Sequence, residues 1–478
     1  RVNAVRGRGV ADRLQRVLIS IQGGFATDFG PVFAGAPQGN SLQIPFLLRA
    51  DNIFYELDGA PHKIGGSTLY GPRLDESGAA VSVQGLYDFW LQGTAGSETQ
   101  NYIAYAGTQI LRSTGLSGTW TAIKTGLEAD KEPCFETFNS SVIWASTSTV
   151  DVPQRWNGVA ASMSDLGASA PRFSFMVKHK NRMWAAGVAT TPSRLYFSDT
   201  LDATLWTGGT SGSIDIDPDD GDRITAIVSH KNELIVFKGP NRLSVHRITG
   251  SSPTGSDAFA RVPFVTGVGS INQNGVYRIN DDLVFPSPRG LHSMAATAAF
   301  GDYVEAFLAR PILSFYQDSL NHNTLNTCWG VNYQPRGQAI WTFPLAGGTA
   351  KNVCLVYDYR FQPGRWASWG NNTPYVNANC LAILQHTARK HKLFAGTTGG
   401  YIHQLDVADR SIAGGTAYSG DWQTPFLNFG SSALKKNLHA GYLSLLPKGS
   451  YNLTLEYTRD NNTAQTVTIA QSGSDTLG

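Results

Sequence analysis

The sequence predicts an all-β protein: a β-propeller of six or seven blades with a small additional C-terminal β-domain. Three observations favour this fold. Glycine and aromatic residues are abundant, with 51 Gly, 23 Phe, 18 Tyr and 11 Trp, while only 15% of the residues are charged. Short runs alternate between apolar and polar residues, the period of two that is typical of β-strands. A unit of several strands also recurs at intervals of about 50 residues, which matches a propeller blade.

The clearest copies of this unit are residues 173–187 and 224–239. Each places the tripeptide His-Lys-Asn between two apolar runs, at His179 and at His230. Polar residues at such a joint are typical of a tight hairpin. Weaker copies lie at 134–145, 275–290, 329–341 and 380–396, and residues 87–120 could supply one more. We therefore assign residues 67–410 to the propeller, with an all-β solenoid as the alternative architecture.

The two ends of the chain differ from the repeats. Residues 1–66 are expected to form an N-terminal arm and opening strands, with a first strand at 17–21. Residues 411–478 are expected to form the C-terminal β-domain, because strand-like runs alternate there with polar turns. One stretch, 295–316, predicts a short helix or an insertion between strands.

Charge and cysteine content limit the classes of function. The chain has 38 Lys and Arg against 36 Asp and Glu, which argues against a dedicated nucleic-acid-binding protein. No segment reaches the roughly 18 apolar residues of a membrane span, and the N-terminus lacks a secretory signal, so we expect a soluble protein made in a cytoplasm. The four cysteines form no CxxC pair and no zinc spacing. They predict free, mostly buried thiols.

The motifs predict no catalytic residue, no metal site and no cofactor, and therefore no enzyme. The run Asp215–Asp222 superficially resembles a calcium loop, but Asp220 stands where an EF-hand needs Gly and Ala226 where it needs Glu. We interpret it as a solvated turn between strands. His386 and His391 flank a basic turn, which we interpret as an exposed tip.

The main alternative is a carbohydrate-binding or sugar-cleaving propeller of the sialidase kind. The segment 113–120 keeps the Ser and the Thr-Trp of a sialidase Asp-box, but Gly115 replaces its Asp. The segment 198–206 is a looser match, and we interpret both as turns whose Trp packs between blades. Cleavage of a glycosidic bond also needs two opposed carboxylates, and spacing identifies no such pair. A cytoplasmic interaction scaffold is a further alternative.

Three consecutive segments resemble a known family. Residues 181–206, 222–250 and 266–293 are similar, in order and spacing, to the tail-nozzle proteins of short-tailed bacteriophages. This group includes the tail tubular B proteins and the packaged-DNA stabilisation proteins. The resemblance covers about residues 130–410, together with an opening segment at 52–66. The chain is shorter than the longest members and should lack their large inserted domains.

The resemblance implies a structural virion protein of the phage tail rather than an enzyme. Such a subunit forms a ring with copies of itself, a hexamer in this family, around the DNA-ejection channel. It docks to the adaptor or portal above and to tail fibres or tailspikes. Genomic DNA passes without sequence specificity, and a near-neutral net charge is compatible with that. The implied location is the virion tail, after assembly in the host cytoplasm.

The first sixteen residues carry a cluster of arginines against a single acid, Asp12. We predict that these arginines contact nucleic acid or an acidic face of a partner, with a solvated tail as the alternative. We also expect the segment to act in docking rather than in folding. The predicted docking residues are Arg1, Arg6, Arg8, Arg13 and Arg16.

Overall fold

A computed structural model describes most of the chain. The described residues are 2–5, 15–21, 23–28, 32–33, 41–44, 46–93, 97–114, 118–294, 308–386, 390–427, 437–441, 451–458 and 464–471. The chain divides into two compact units. The smaller comprises residues 1–20, 32–44 and 426–478, and the larger comprises residues 21–31 and 45–425.

The larger unit is a seven-bladed β-propeller, which confirms the predicted fold class. The strands of blades one to three are β11 (Val83–Leu91), β12 (Thr99–Ala106), β13 (Gln109–Thr114), β14 (Thr121–Lys124); β15 (Pro133–Phe138), β16 (Ser141–Ser146), β17 (Gln154–Trp156), β18 (Ser164–Asp165); and β19 (Phe175–His179), β20 (Arg182–Ala186), β21 (Arg194–Phe197), β22 (Gly212–Asp215). Those of blades four and five are β23 (Arg223–His230), β24 (Glu233–Gly239), β25 (Ser244–Thr249), β26 (Ala260–Thr266); and β27 (Tyr277–Ile279), β28 (Asp282–Ser287), β29 (Gly290–Ser293).

The last two blades recruit strands from outside the repeats. Blade six contains β30 (Trp329–Tyr333), β31 (Gln338–Pro344), β32 (Lys351–Asp358) and β33 (Arg365–Trp369), extended by β5 (Arg49–Asp51) and β39 (Asp421–Gln423). Blade seven contains β34 (Cys380–His386), β35 (Lys390–Gly396) and β36 (Ile402–Val407), completed by β8 (Gly66–Leu69). Short strands of this unit outside the blades are β6 (Ile53–Tyr55), β7 (Pro61–Lys63), β9 (Asp75–Glu76), β10 (Ala79–Ala80), β37 (Ser411–Ile412) and β38 (Thr416–Ala417).

The repeated His-Lys-Asn tripeptides form equivalent hairpins in blades three and four. Lys180 and Asn181 connect β19 to β20, and Lys231 and Asn232 connect β23 to β24. All four residues have left-handed backbone angles, with φ between 44° and 65°. Two successive residues with positive φ match the twist of an antiparallel hairpin, and Asn tolerates this conformation better than most residues. The local repeat in the sequence is therefore a repeat of turn geometry.

An N-terminal strand closes the ring. Strand β8 pairs antiparallel with β36, with Thr68 opposite Gln404. Because the outermost strand of the last blade comes from the beginning of the propeller sequence, the circle is held by backbone hydrogen bonds between distant parts of the chain. This closure distinguishes a propeller from a solenoid. It also extends the larger unit beyond the predicted range of 67–410 at both ends.

Aromatic side chains pack between neighbouring blades, as the composition suggests. The ring of Trp184 in blade three lies 4.9 Å from that of Phe197 and 4.8 Å from that of Phe259, which belongs to blade four. Such tilted and edge-on contacts contribute beyond their buried area. The abundant Phe, Tyr and Trp therefore form the contacts between the sheets.

The described strands of the smaller unit form a four-stranded sheet, a parallel pair of short strands and an antiparallel hairpin. Its strands are β1 (Val2–Val5), β2 (Gln15–Ile21), β3 (Val32–Phe33), β4 (Ser41–Ile44), β40 (Phe426–Leu427), β41 (Asn437–Gly441), β42 (Tyr451–Tyr457) and β43 (Gln465–Gln471). Strand β1 pairs with β2 on one side and with β41 on the other. Residues 2–5 therefore form an interior strand of a sheet, and the expectation that the first sixteen residues act in docking rather than in folding stays a prediction.

Helix is confined to short segments of the described chain. Helix α1 covers Leu313–Ser319, and 3₁₀ turns cover Arg310–Ile312, Leu325–Thr327 and Gln334–Arg336. The predicted helix at 295–316 lies largely outside the described residues. Where described, the helix begins after Pro311, because proline is compatible with the turn that opens a helix but not with its interior. Among the described residues, no helix has both the length and the apolar character needed to span a bilayer.

Candidate functional site: the axial cavity

The first strands of the blades surround a cavity on the propeller axis. Its volume is about 420 Å³, and residues of blades one to six line it. Apolar side chains form most of the wall, among them Leu86, Phe135, Met176, Val177, Ile227 and Val228. A cavity of this size lies in the range of about 300–1,000 Å³ that is typical of small-molecule sites.

Side chains from neighbouring blades form hydrogen bonds with backbone groups of the innermost strands, on the edge of each strand that faces the axis. Strands β15, β19 and β23 each pair on one side only, so their inner backbone groups need other partners. Gln273 accepts a hydrogen bond from the Ile227 amide at 2.8 Å and donates one to the Ile227 carbonyl at 3.0 Å. Asp88 accepts a hydrogen bond from the Gln385 amide at 2.8 Å. Polar groups near the axis therefore join adjacent blades.

The base of the cavity is bridged across the ring. Lys351 of blade six extends its ammonium to within 3.4 Å of Glu132, which precedes blade two, and donates to the Thr327 carbonyl at 2.8 Å. Asn274, which precedes blade five, donates to Glu132 at 3.4 Å and to the Pro133 carbonyl at 3.3 Å. These contacts join blades two, five and six. Side-chain contacts consequently cross the propeller at this level.

Burial affects the charges of the bridge. The Lys351 side chain is 3% exposed, whereas that of Glu132 keeps 24% of its surface accessible. Burial raises the pKa of Glu132, and the charge of Lys351 acts in the opposite direction. An ion pair in this setting is costly to break, because each remaining charge loses its partner.

Glu136 lies further along β15 and faces the cavity itself. Its carboxylate accepts hydrogen bonds from the amides of Thr137 at 3.1 Å and Lys178 at 3.4 Å. Burial raises the pKa of Glu136, and these two amides and the Lys178 charge oppose that shift. In the part of the chain that the structure describes, no ion pair includes Glu136.

Aromatic rings lie beside Glu136. The rings of Tyr87 and Phe135 stack with their centroids 5.5 Å apart and their planes 17° apart. The Tyr87 hydroxyl is 2.9 Å from the Thr137 hydroxyl. Trp329, which is 8% exposed, completes the aromatic part of the lining. The cavity thus combines one carboxylate with several aromatic faces.

The four cysteines are buried and unpaired, which confirms the prediction of free, buried thiols. Burial raises the pKa of Cys134, which lines the cavity, to about 12, and those of Cys354 and Cys380 to about 12. The thiolate is the nucleophilic form of cysteine. At neutral pH these side chains therefore remain mostly as thiols, and they pack as small apolar groups.

The loop after Asp215 surrounds a cation of the protein itself. The Lys238 ammonium, fully buried, donates to the carbonyls of Ile216 and Asp217, both at 2.7 Å, and to Asp220 at 2.8 Å. The loop connects β22 to β23, so it is the predicted turn between strands. It is less solvated than we expected, because the lysine fills its centre.

The remaining sequence motifs are structural parts of blades. Trp120 contacts Tyr70, which follows β8 of blade seven, with the ring centroids 6.2 Å apart, as predicted for a turn whose Trp packs between blades. Trp206 packs on Phe173, which directly precedes β19 of the same blade, with the ring centroids 5.2 Å apart, so its predicted position between blades stays a prediction. Gly115 lies outside the described residues. His386 departs from the predicted exposed tip, because its ring contacts Phe394 at 5.6 Å and burial lowers its pKa.

His391 is exposed as predicted. No group of three or more His, Cys, Asp or Glu side chains suited to a metal ion occurs among the residues that the structure describes.

The predicted docking arginines are not assembled into a site by the structure. Arg1, Arg6, Arg8 and Arg13 lie outside the described residues. Arg16 lies on β2, opposite Asn3 of β1. Their role in docking stays a prediction.

Sequence analysis missed the residues that define the cavity. Glu132 directly precedes the copy of the repeat at 134–145, and Glu136 lies within it. An acidic residue within an apolar strand could have indicated a functional position there. Lys351 gave no such signal, because it lies 219 residues from Glu132 in the chain.

Comparisons with known proteins identify no family for this chain. No family model matches the chain, and no curated protein matches it. Solved structures do resemble it. A chain of the "Crystal Structure of Mitotic Checkpoint Complex" has a TM-score of 0.42 at 9% identity, covering 71% of this chain and 99% of that one.

Two further structures are similar to a comparable degree. The WD40 β-propeller domain of Doa1 has a TM-score of 0.41 at 8% identity, covering 71% of this chain and 97% of that one. YCF48 bound to D1 peptide has a TM-score of 0.40 at 9% identity, covering 70% of this chain and 97% of that one. Likeness at this level concerns the propeller fold alone.

Proposed function

We propose that the protein is a structural subunit of a bacteriophage tail, the nozzle or hub protein that forms a ring around the DNA-ejection channel. The observation that carries the proposal is the family resemblance of residues 181–206, 222–250 and 266–293. The first segment lies in blade three and the second in blade four. The third covers the connection that leads to blade five and the strands of that blade. The resemblance therefore follows three consecutive structural units rather than scattered positions.

The chemistry near the axis supports an assembly role. Glu132 pairs with Lys351, Glu136 accepts amide hydrogen bonds, and Asp88 joins blade one to blade seven. Each of these acids holds protein groups together. A hydrolase for sugars would instead need an acid and a base on opposite sides of a bound glycoside.

The bridged axis bears on the path of DNA in such a ring. The Lys351–Glu132 and Asn274–Pro133 contacts cross the propeller, and a cavity of about 420 Å³ is far too small for a duplex. DNA would therefore pass along the symmetry axis between subunits, not through a propeller. Few strong phosphate contacts along that path would let the duplex slide without sequence preference.

The proposed partners are the adaptor or portal protein on one side and fibres or tailspikes on the other. The N-terminal arginines would contribute to docking, and the protein would reside in the virion tail after assembly in the host cytoplasm. Changing Arg1, Arg6, Arg8 and Arg13 to Gln should reduce incorporation into particles. Changing the exposed Arg155, Arg223, Arg242 and Arg278 to Gln removes the same charge elsewhere and should leave incorporation unchanged.

Mass and shape test the proposal directly. A ring of six 51.6 kDa subunits would have a mass of about 300 kDa by light scattering and a central hole in negative-stain images. A protein that stays monomeric at all concentrations and is absent from tails would contradict it. The same preparation should leave a panel of fluorogenic glycosides intact, and turnover abolished by Glu132→Gln or Glu136→Gln would favour the sugar-cleaving alternative.

A further inference from the structure

Among the described residues that line the axial cavity, Glu136 is the single acid or base that carries a full charge, and it forms no ion pair. Among the lining residues only Glu136 is ionisable to a full charge near neutral pH, while Gln273 and Asn274 are neutral. Two buried lysines of the propeller, by contrast, each form an ion pair. Lys238 pairs with Asp220, and Lys351 pairs with Glu132.

The lack of an ion pair at Glu136 has an energetic cost. A buried charge in a protein is normally paired, because desolvation disfavours the isolated ion. Two amide donors, at 3.1 Å and 3.4 Å, compensate part of the charge of Glu136. An external cation of suitable size would supply the missing partner.

The walls next to Glu136 suit the nonpolar part of such a cation. The rings of Tyr87 and Phe135, which stack on each other, and the ring of Trp329 line the cavity. Aromatic faces attract cations through their quadrupole, and an aromatic lining beside an acid is a common recognition mode for ammonium groups. Met176 and Val177 add contact area for hydrocarbon.

We propose that the axial cavity binds a small organic ammonium ion, with its nitrogen at Glu136 and its hydrocarbon part against the Tyr87–Phe135 wall. This site is separate from the docking surfaces of the proposed tail function and does not depend on them. An anion would meet the Glu136 carboxylate, and a neutral ligand would leave it without a partner. A metal ion would find a single carboxylate ligand in this lining.

Binding of a charge-matched series to the unmodified protein tests the proposal. The probe is n-butylammonium, with 1-pentanol as the neutral and pentanoate as the anionic analogue of similar size. We expect n-butylammonium to bind at least about tenfold more tightly than 1-pentanol in saturation-transfer NMR titrations, because it gains a charge-assisted hydrogen bond. Pentanoate should not bind. Equal affinity of the ammonium and the alcohol would overturn the proposal.

Two substitutions locate the binding. Glu136→Gln should weaken n-butylammonium binding by about tenfold, while Glu98→Gln, which removes an exposed carboxylate outside the cavity, should leave it unchanged. Thermal unfolding confirms that both variants are folded. Unchanged affinity in a folded Glu136→Gln protein would show that the site is wrong.

A blocked tripeptide with a central lysine distinguishes the source of the ammonium group. Its binding with the same dependence on Glu136 would identify a lysine side chain of a partner as an acceptable occupant. Binding of n-butylammonium alone would restrict the site to free small molecules. Failure of both cations to bind would overturn the proposal without affecting the ring assembly measured by mass.

Discussion

Glu132 and Glu136 lie four residues apart on one wall of the propeller axis, yet their surroundings differ. Burial raises the pKa of both carboxyl groups. Glu132 has a lysine from the opposite side of the ring, whereas Glu136 has backbone amides and aromatic neighbours. The difference teaches that burial alone does not distinguish a structural charge from one available to a ligand. What differs is that Glu132 is held in an ion pair, whereas Glu136 lines a cavity.

Removing the counter-ion of Glu132 should have the largest effect. Lys351→Met leaves a largely buried carboxylate unpaired and should lower the free energy of unfolding by about 3 kcal/mol. Urea denaturation at neutral pH measures this. The double variant Lys351→Met, Glu132→Gln should recover most of the loss, and a single variant as stable as the parent would show that the pair contributes nothing.

The neutral member of the bridge should matter less. Asn274→Ala removes hydrogen bonds to Glu132 and to the Pro133 carbonyl, and should cost about 1–2 kcal/mol. The matched change on the wall is Gln273→Ala, which removes two hydrogen bonds to Ile227. Similar losses for the two variants would be expected from hydrogen bonding alone. A much larger loss for Asn274→Ala would show that the base bridge acts as a cooperative network.

Substitution of Glu136 should change the free energy of unfolding in the opposite direction. Because the carboxylate lacks a counter-ion, Glu136→Gln should keep or raise stability at neutral pH, by at most about 1 kcal/mol. Thermal and urea unfolding provide the measurement. A loss of several kcal/mol would mean that Glu136, like Glu132, is a structural charge.

The pH dependence of stability provides a second test of whether Glu136 ionises in the folded protein. A carboxyl group whose folded-state pKa is raised stabilises the protein fully below its unfolded pKa, near 4.5, and this contribution is lost as pH rises through the folded value. The stability advantage of Glu136→Gln over the parent should therefore be absent in acid and should grow as pH rises above 4.5. An advantage that is constant with pH would contradict an ionising Glu136.

Local patterns in the sequence determined the all-β class and the positions of the hairpins. The His-Lys-Asn turns and the weaker copies at 134–145, 275–290, 329–341 and 380–396 all coincide with hairpins of the structure. Alternation and turn residues act over a few positions, so a single sequence contains them. The N-terminal arginines could be noted in the same way, but no local pattern says what they contact.

Tertiary structure decided what depends on distant residues. The ring closed only when β8 paired with β36, and the bridge beside the cavity formed only when Lys351 met Glu132, 219 residues away. The unmatched charge of Glu136 likewise became visible only once its spatial neighbours were known. Closure of a ring brings together residues whose separation in the chain carries no periodic signal, and for that reason the axis could not be derived from the sequence by itself.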